Sequence, residues 1–153
     1  MKNLDFPLKT YESGLLQCNV YIRKDTAPFG TKTYPVIATY GPYGKDLSGS
    51  SSVKKNWDQR NPEIKSPHAS LKTPDPGFWT SKGHIIIRAD ERGAGQSPGE
   101  LDTMSWGTSE AFLDVIEWCV EENGLRARSP CWGLVTMLER SGVLRPGSRN
   151  ILR

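Results

Sequence analysis

Gly95-Gln96-Ser97-Pro98-Gly99 satisfies the spacing G-x-S-x-G. That spacing can present a nucleophilic serine for acyl transfer when a sharp turn between a buried strand and a helix lifts the hydroxyl above a sheet. The upstream strand is present in "HIIIRAD", but Ser97 lies seven positions beyond Asp90. Pro98, Gly99 and the acidic "ELDTMS" then separate Ser97 from the first helical pattern, near Ser109. An elbow makes this passage in a few residues, so the context favours a surface loop that uses its glycines for turns over a nucleophile. The same glycines could cradle a pyrophosphate, but Gly93, Gly95 and Gly99 do not follow G-x-G-x-x-G and no helix start follows at once. Cys18, Cys119 and Cys131 are odd in number and share no ligand spacing, which points to buried thiols, with no metal and no cofactor expected.

The elements that would position any site follow from apolar periodicity. Leu16, Cys18, Val20 and Ile22 alternate with polar or amphipathic neighbours, the period of a strand with one buried face. With "NLDFPL" before it, residues 3–23 predict a β-hairpin whose first strand, carrying Pro7, lies on a sheet edge. "YPVIATYG" and "HIIIRAD" have consecutive apolar residues, as in parallel strands covered on both faces. The 42 residues between them are long for a bare connection, so a helix or an ordered excursion is expected there. Phe112, Val115, Ile116, Cys119 and Val120 share one helical face, predicting a helix over 108–123 with Thr108 or Ser109 as its cap and Gly124 as its stop. "SPCWGLVTMLERSG" reads as a second short helix capped by Ser129 and stopped by Gly142, with no β-branched strand after it.

At 153 residues the chain has material for one core. No apolar run approaches the roughly 20 residues of a membrane helix, and the start lacks a secretory signal's apolar segment. A soluble, cytoplasmic protein is expected. The net charge of +3 is unevenly spread: residues 1–123 carry −2, whereas residues 124–153, with six Arg, no Lys and one Glu, carry +5. The switch to arginine alone marks a compositional break at Gly124.

"YPVIATYGPYGKD", "PDPGFWTSKGHIIIRADERGAGQSPGELD" and "EAFLDVIEWC", in that order, resemble the amino-terminal part of the CocE/NonD hydrolases, the X-Pro dipeptidyl-peptidase-like α/β-hydrolases. The likeness covers about residues 3–123. It implies an α/β fold: the amino-terminal portion of an α/β-hydrolase, with a β-hairpin, parallel strands and one helix, truncated. It also implies that the loop Asp90–Ser97 is a structural turn and that Ser97 is not catalytic. The tyrosine of the P-Y-x-K turn, matching Tyr43, is implied to donate its hydroxyl to the oxyanion of a tetrahedral intermediate. Read from its residues alone, Gly41-Pro42-Tyr43-Gly44 is a β-turn with a partly buried tyrosine.

In the resembled family the strand after the I-E-W helix ends in the nucleophile elbow, and the acid and histidine come much later. Here the likeness stops near residue 123, and Ser129, Ser141 and Ser148 have no glycine frame. His68 and His84 both precede the place of a family base, and His84 opens a buried strand. The expectation is therefore a partial hydrolase domain over 1–123 without a catalytic triad, followed by a divergent Arg-rich tail over 124–153. An out-of-frame tail and a basic interaction tail would look alike. The family's substrates are small-molecule esters or peptides. The alternative is a non-catalytic interaction protein whose tail binds an acidic partner; nucleic acid is the less favoured partner, since Trp132 is the tail's lone aromatic platform. Without the nucleophile strand, Val36, Ile37 and Ala38 would form an open sheet edge unless the tail covers it, and marginal stability or self-association is expected.

Overall fold

The computed structural model describes residues 2–9, 14–25, 34–48, 54–70, 72–121 and 132–135. The alternating segment forms β2 (Leu15–Ile22), paired antiparallel with β1 (Lys2–Lys9) in the expected hairpin. The two consecutive apolar runs form β3 (Val36–Gly41) and β4 (Ile85–Asp90), paired parallel with Val36 opposite Ile85. A fifth strand, β5 (Trp132–Val135), lies parallel to β3 on its other side, so the sheet order is β1-β2-β4-β3-β5. Pro7 sits on edge strand β1, where a missing N–H costs no ladder bond on the open side.

Side chains alternate across this sheet and divide the fold into two layers. One face carries Leu16, Cys18, Val20 and Ile22 of β2, Val36, Ala38 and Tyr40 of β3, and Ile85, Ile87 and Ala89 of β4. These form the core with Ala111, Phe112, Val115 and Cys119 of the long helix Trp106–Glu121. Burying a side chain the size of Phe112 contributes about 2–3 kcal/mol, and its ring meets that of Tyr40 at 5.9 Å. The opposite face carries Asn19, Tyr21, Thr39, Arg88 and Asp90, all buried. It is covered by the long β3–β4 connection, which contains α1 (Lys54–Gln59), a 3-10 turn (Pro62–Ile64) and α2 (Pro76–Ser81). The long helix is accordingly α3.

Arg88 fastens that connection to the sheet. Its Nη1 and Nη2 donate to the carbonyls of His68 and Pro74, both at 2.8 Å, and its guanidinium lies 5.3 Å from the Tyr21 ring. Asp75 caps α2 by accepting from Phe78 N at 3.0 Å, and its other oxygen accepts from Ser66 N at 2.7 Å. The excursion expected from sequence is thus ordered by buried polar groups that receive backbone partners.

Two expectations are corrected. α3 starts at Trp106, and the hydroxyl that accepts from Thr108 N belongs to Ser105 (3.1 Å), so Thr108 and Ser109 are inside the helix. The stop at Gly124 lies outside the described residues. Residues 132–135 are a strand, although the capping signals suggested a helix across them. A four-residue run is too short to show a period, and pairing to an existing edge overrides local propensity. That strand, which belongs to the segment 124–153, covers the β3 edge: Ile37, Ala38, Thr39 and Tyr40 stand opposite Trp132, Gly133, Leu134 and Val135.

Candidate functional site

The carboxyl ends of β3 and β4 lie side by side, Gly41 opposite Asp90, and the chain turns sharply after each. In an open parallel sheet this is the end where ligands bind. The two turns are joined through Asp90, whose Oδ1 accepts from Lys45 N and whose Oδ2 accepts from Gln96 N at 2.9 Å. Gly41 accepts from Glu91 N at 3.1 Å, extending the ladder by one bond. Lys45 is buried, and its Nζ bonds Asp46 and, at 2.9 Å, Gln96 Oε1. Asp46 in turn accepts from Asn19 Nδ2 at 2.6 Å. The P-Y-x-K-D turn and the D-x-R-G-x-G-x-S loop therefore form one polar knot. Burial raises the Asp90 carboxyl above the usual range, while the two backbone donors work in the opposite direction.

Tyr43 is the half-buried tip of the first turn. Its hydroxyl oxygen accepts from Lys72 Nζ at 3.3 Å, and the same ammonium lies 4.8 Å from the ring centre. Lys72 is held at φ 52°, a left-handed conformation that costs about 1–3 kcal/mol in a residue with a side chain. An ammonium can only donate, so Lys72 takes a lone pair of the phenol oxygen and leaves the Tyr43 proton for another acceptor. Beside this pair is a cleft of about 30 Å³, lined by Thr39, Tyr43, Lys45, Lys72, Thr73 and Arg88 among others. It has room for a water or a small ion.

Ser97 stands elsewhere in the knot. It is buried, donates to the Asp90 carbonyl at 2.8 Å and accepts from Gln17 N at 2.9 Å, tying the loop to β2. The G-x-S-x-G serine is thus held as a structural cross-link. His84 precedes β4 at the amino end of the sheet, its ring 5.1 Å from Trp79. His68 lies in the outer layer, its ring 5.5 Å from Tyr21, a residue paired with Ile86 in the amino half of β4. Cys18 and Cys119 are buried and form no disulfide, whereas Cys131 lies outside the described residues. Among the described residues no three His, Cys, Asp or Glu side chains gather as a metal site, and no helix is long and apolar enough to cross a membrane.

A family model described as X-Pro dipeptidyl-peptidase (S15 family) matches residues 16–141. The chain belongs to this family. The match runs past the compositional break and takes in β5. Among solved structures, a CocE/NonD family hydrolase from Staphylococcus aureus is similar with a TM-score of 0.61 and 23% identity over 81% of this chain and 21% of that one. A Porphyromonas gingivalis dipeptidyl peptidase 4 gives 0.52 and 16% over 86% and 17%. A serine hydrolase without lid from Xanthomonas campestris gives 0.50 and 17% over 88% and 50%. At these identities the likeness shows the fold: a mixed α/β sheet with helices that matches a portion of α/β-hydrolase structures. The S15-family chain spans about a fifth of the length of the Staphylococcus hydrolase. No curated protein matches it.

Sequence reasoning singled out Tyr43 and the loop Asp90–Ser97 but missed what holds them. Arg88 inside an otherwise apolar strand was a readable signal, because a buried cation must find acceptors. Lys72 offered none; its place depends on the path of the whole excursion.

Proposed function

We propose that this S15-family chain forms the oxyanion side of a site for hydrolysing esters, amides or acyl-peptide bonds, with Tyr43 as the donor. The observation that carries the reading is the hydroxyl of Tyr43 at the carboxyl end of β3, its oxygen already accepting from Lys72. A donor fixed in advance where negative charge develops is typically worth ~3–4 kcal/mol of transition-state stabilisation. The knot around Asp90 supports the role by holding the tyrosine's turn rigidly against β4.

The 153 residues are further proposed to lack a working nucleophile–base pair and to be inactive by themselves. A serine nucleophile needs a base within hydrogen-bond reach. The sequence has two histidines. His84 is at the amino end of β4, and six strand residues at about 3.3 Å each put it roughly 20 Å from the tyrosine's end. His68 packs its ring at a tilt against Tyr21. Ser97 has both its hydrogen bonds in the backbone around it. Purified chain incubated with p-nitrophenyl acetate and an X-Pro p-nitroanilide is expected to release no product above the buffer rate. Turnover abolished by Tyr43→Phe would support the oxyanion role and refute inactivity, and turnover unaffected by that change would refute both.

A further inference from the structure

The cleft beside Tyr43 contains more positive charge than its neighbours use. Arg88 is 1% exposed. Both of its terminal nitrogens donate to neutral carbonyls, and its Nε has no hydrogen-bond partner among the protein atoms. Thr73 Oγ1, on the same cleft, is likewise buried and unpartnered. Lys72 Nζ rests on a neutral phenol. The nearby acids are committed elsewhere: Asp75 to Phe78 N and Ser66 N, and Asp46 to Lys45 and Asn19. A buried guanidinium without a carboxylate partner costs several kcal/mol unless an anion reaches it. Burial accordingly pulls the Arg88 pKa down, against the attraction of Tyr21, Asp75 and Asp46.

We propose that this cleft binds a small monovalent anion, a carboxylate headgroup, held by Arg88 Nε–H and the Thr73 hydroxyl with Lys72 at its mouth. Two donors beside a fixed positive charge match the two oxygens of a carboxylate, since charge-assisted hydrogen bonds are the strong ones. The space of about 30 Å³ admits a formate-sized group and excludes larger anions unless their remainder projects past the rim. A neutral water would satisfy the two orphaned atoms and leave the charge uncompensated. This inference does not require Tyr43 to act on an oxyanion, so it stands or falls apart from the proposed function.

The test is titration of the 153-residue chain with sodium formate at constant ionic strength, methanesulfonate making up the balance. Binding is read from the thermal midpoint by circular dichroism and from the line width of ¹³C-formate. The expected result is a saturable rise in the midpoint with formate and broadening of its resonance. Thr73→Val and Lys72→Met are each expected to weaken binding at least fivefold. Lys72 is exposed, so K72M keeps the test open if T73V does not fold. Equal responses to formate and methanesulfonate, or unchanged affinity in a folded K72M or T73V protein, would overturn the proposal and leave water as the occupant.

Discussion

Gly95→Ala separates the cost of backbone strain from the cost of breaking the knot. Gly95 has φ 54°, and a β-carbon there would lie 2.2 Å from Asp90 Oδ2 and 2.5 Å from its Cγ. Left-handed backbone alone costs an alanine about 1–2 kcal/mol. The clash is additional, because the carboxylate must move by about 1 Å to restore van der Waals distance. That movement breaks the bond from Gln96 N and disturbs the one from Lys45 N. Each buried N–H left unpaired costs about 1–3 kcal/mol. The expected loss is therefore ~3–5 kcal/mol, a large part of the 5–15 kcal/mol typical of a domain. Gly14→Ala is the internal control: φ is 77°, but no atom lies within 4 Å of the added carbon, so only the backbone cost applies. Urea unfolding followed by circular dichroism measures both. A G95A loss within about 1 kcal/mol of the G14A loss would refute the assignment of Asp90 as the knot's centre.

Phe112→Ala removes the ring packed against Tyr40 in the core and is expected to cost ~3–5 kcal/mol in the same assay. Ser97→Ala deletes both an acceptor for Gln17 N and a donor to the Asp90 carbonyl, so a stability loss of ~1–3 kcal/mol is expected with no change in covalent labelling. Glu91 is buried, and burial raises its carboxyl above the usual value, with Asp102 adding to the rise and the Thr108 hydroxyl at 2.7 Å opposing it. The folded state then holds the proton more tightly than the unfolded chain, so stability falls as pH rises from about 4 through the folded value. Glu91→Gln should flatten the decline of the urea midpoint over that window, with Asp90 retaining a share of the same sign; a slope as steep as the parent's would contradict this.

The parts of the fold legible in the sequence were those with a repeating pattern. Alternation in 16–22 fixed the hairpin strand, unbroken apolar runs fixed β3 and β4, and the Phe112–Cys119 face fixed α3. β5 escaped because four residues carry no period and their strand state depends on an edge supplied by β3. The start of α3 shifted because Ser105, Thr108 and Ser109 are all competent caps, and only the tertiary path selects among them. Tyr43 was reached through motif resemblance, and its residue type at a turn would have been silent alone. Asp90 could be located but its role could not, since acceptance from Lys45 N joins residues 45 apart in the chain. Lys72 and Thr73 belong to an excursion whose course is fixed by Arg88, Asp75 and Arg60 rather than by local periodicity.

The central proposal is that this S15-family scaffold offers an oxyanion donor without an activated serine in these 153 residues. Labelling with a fluorophosphonate probe, followed by intact mass and peptide mapping, tests this most directly. The predicted result is an unmodified mass. A stoichiometric adduct on any serine, including Ser141 at the end of the family match, would contradict it.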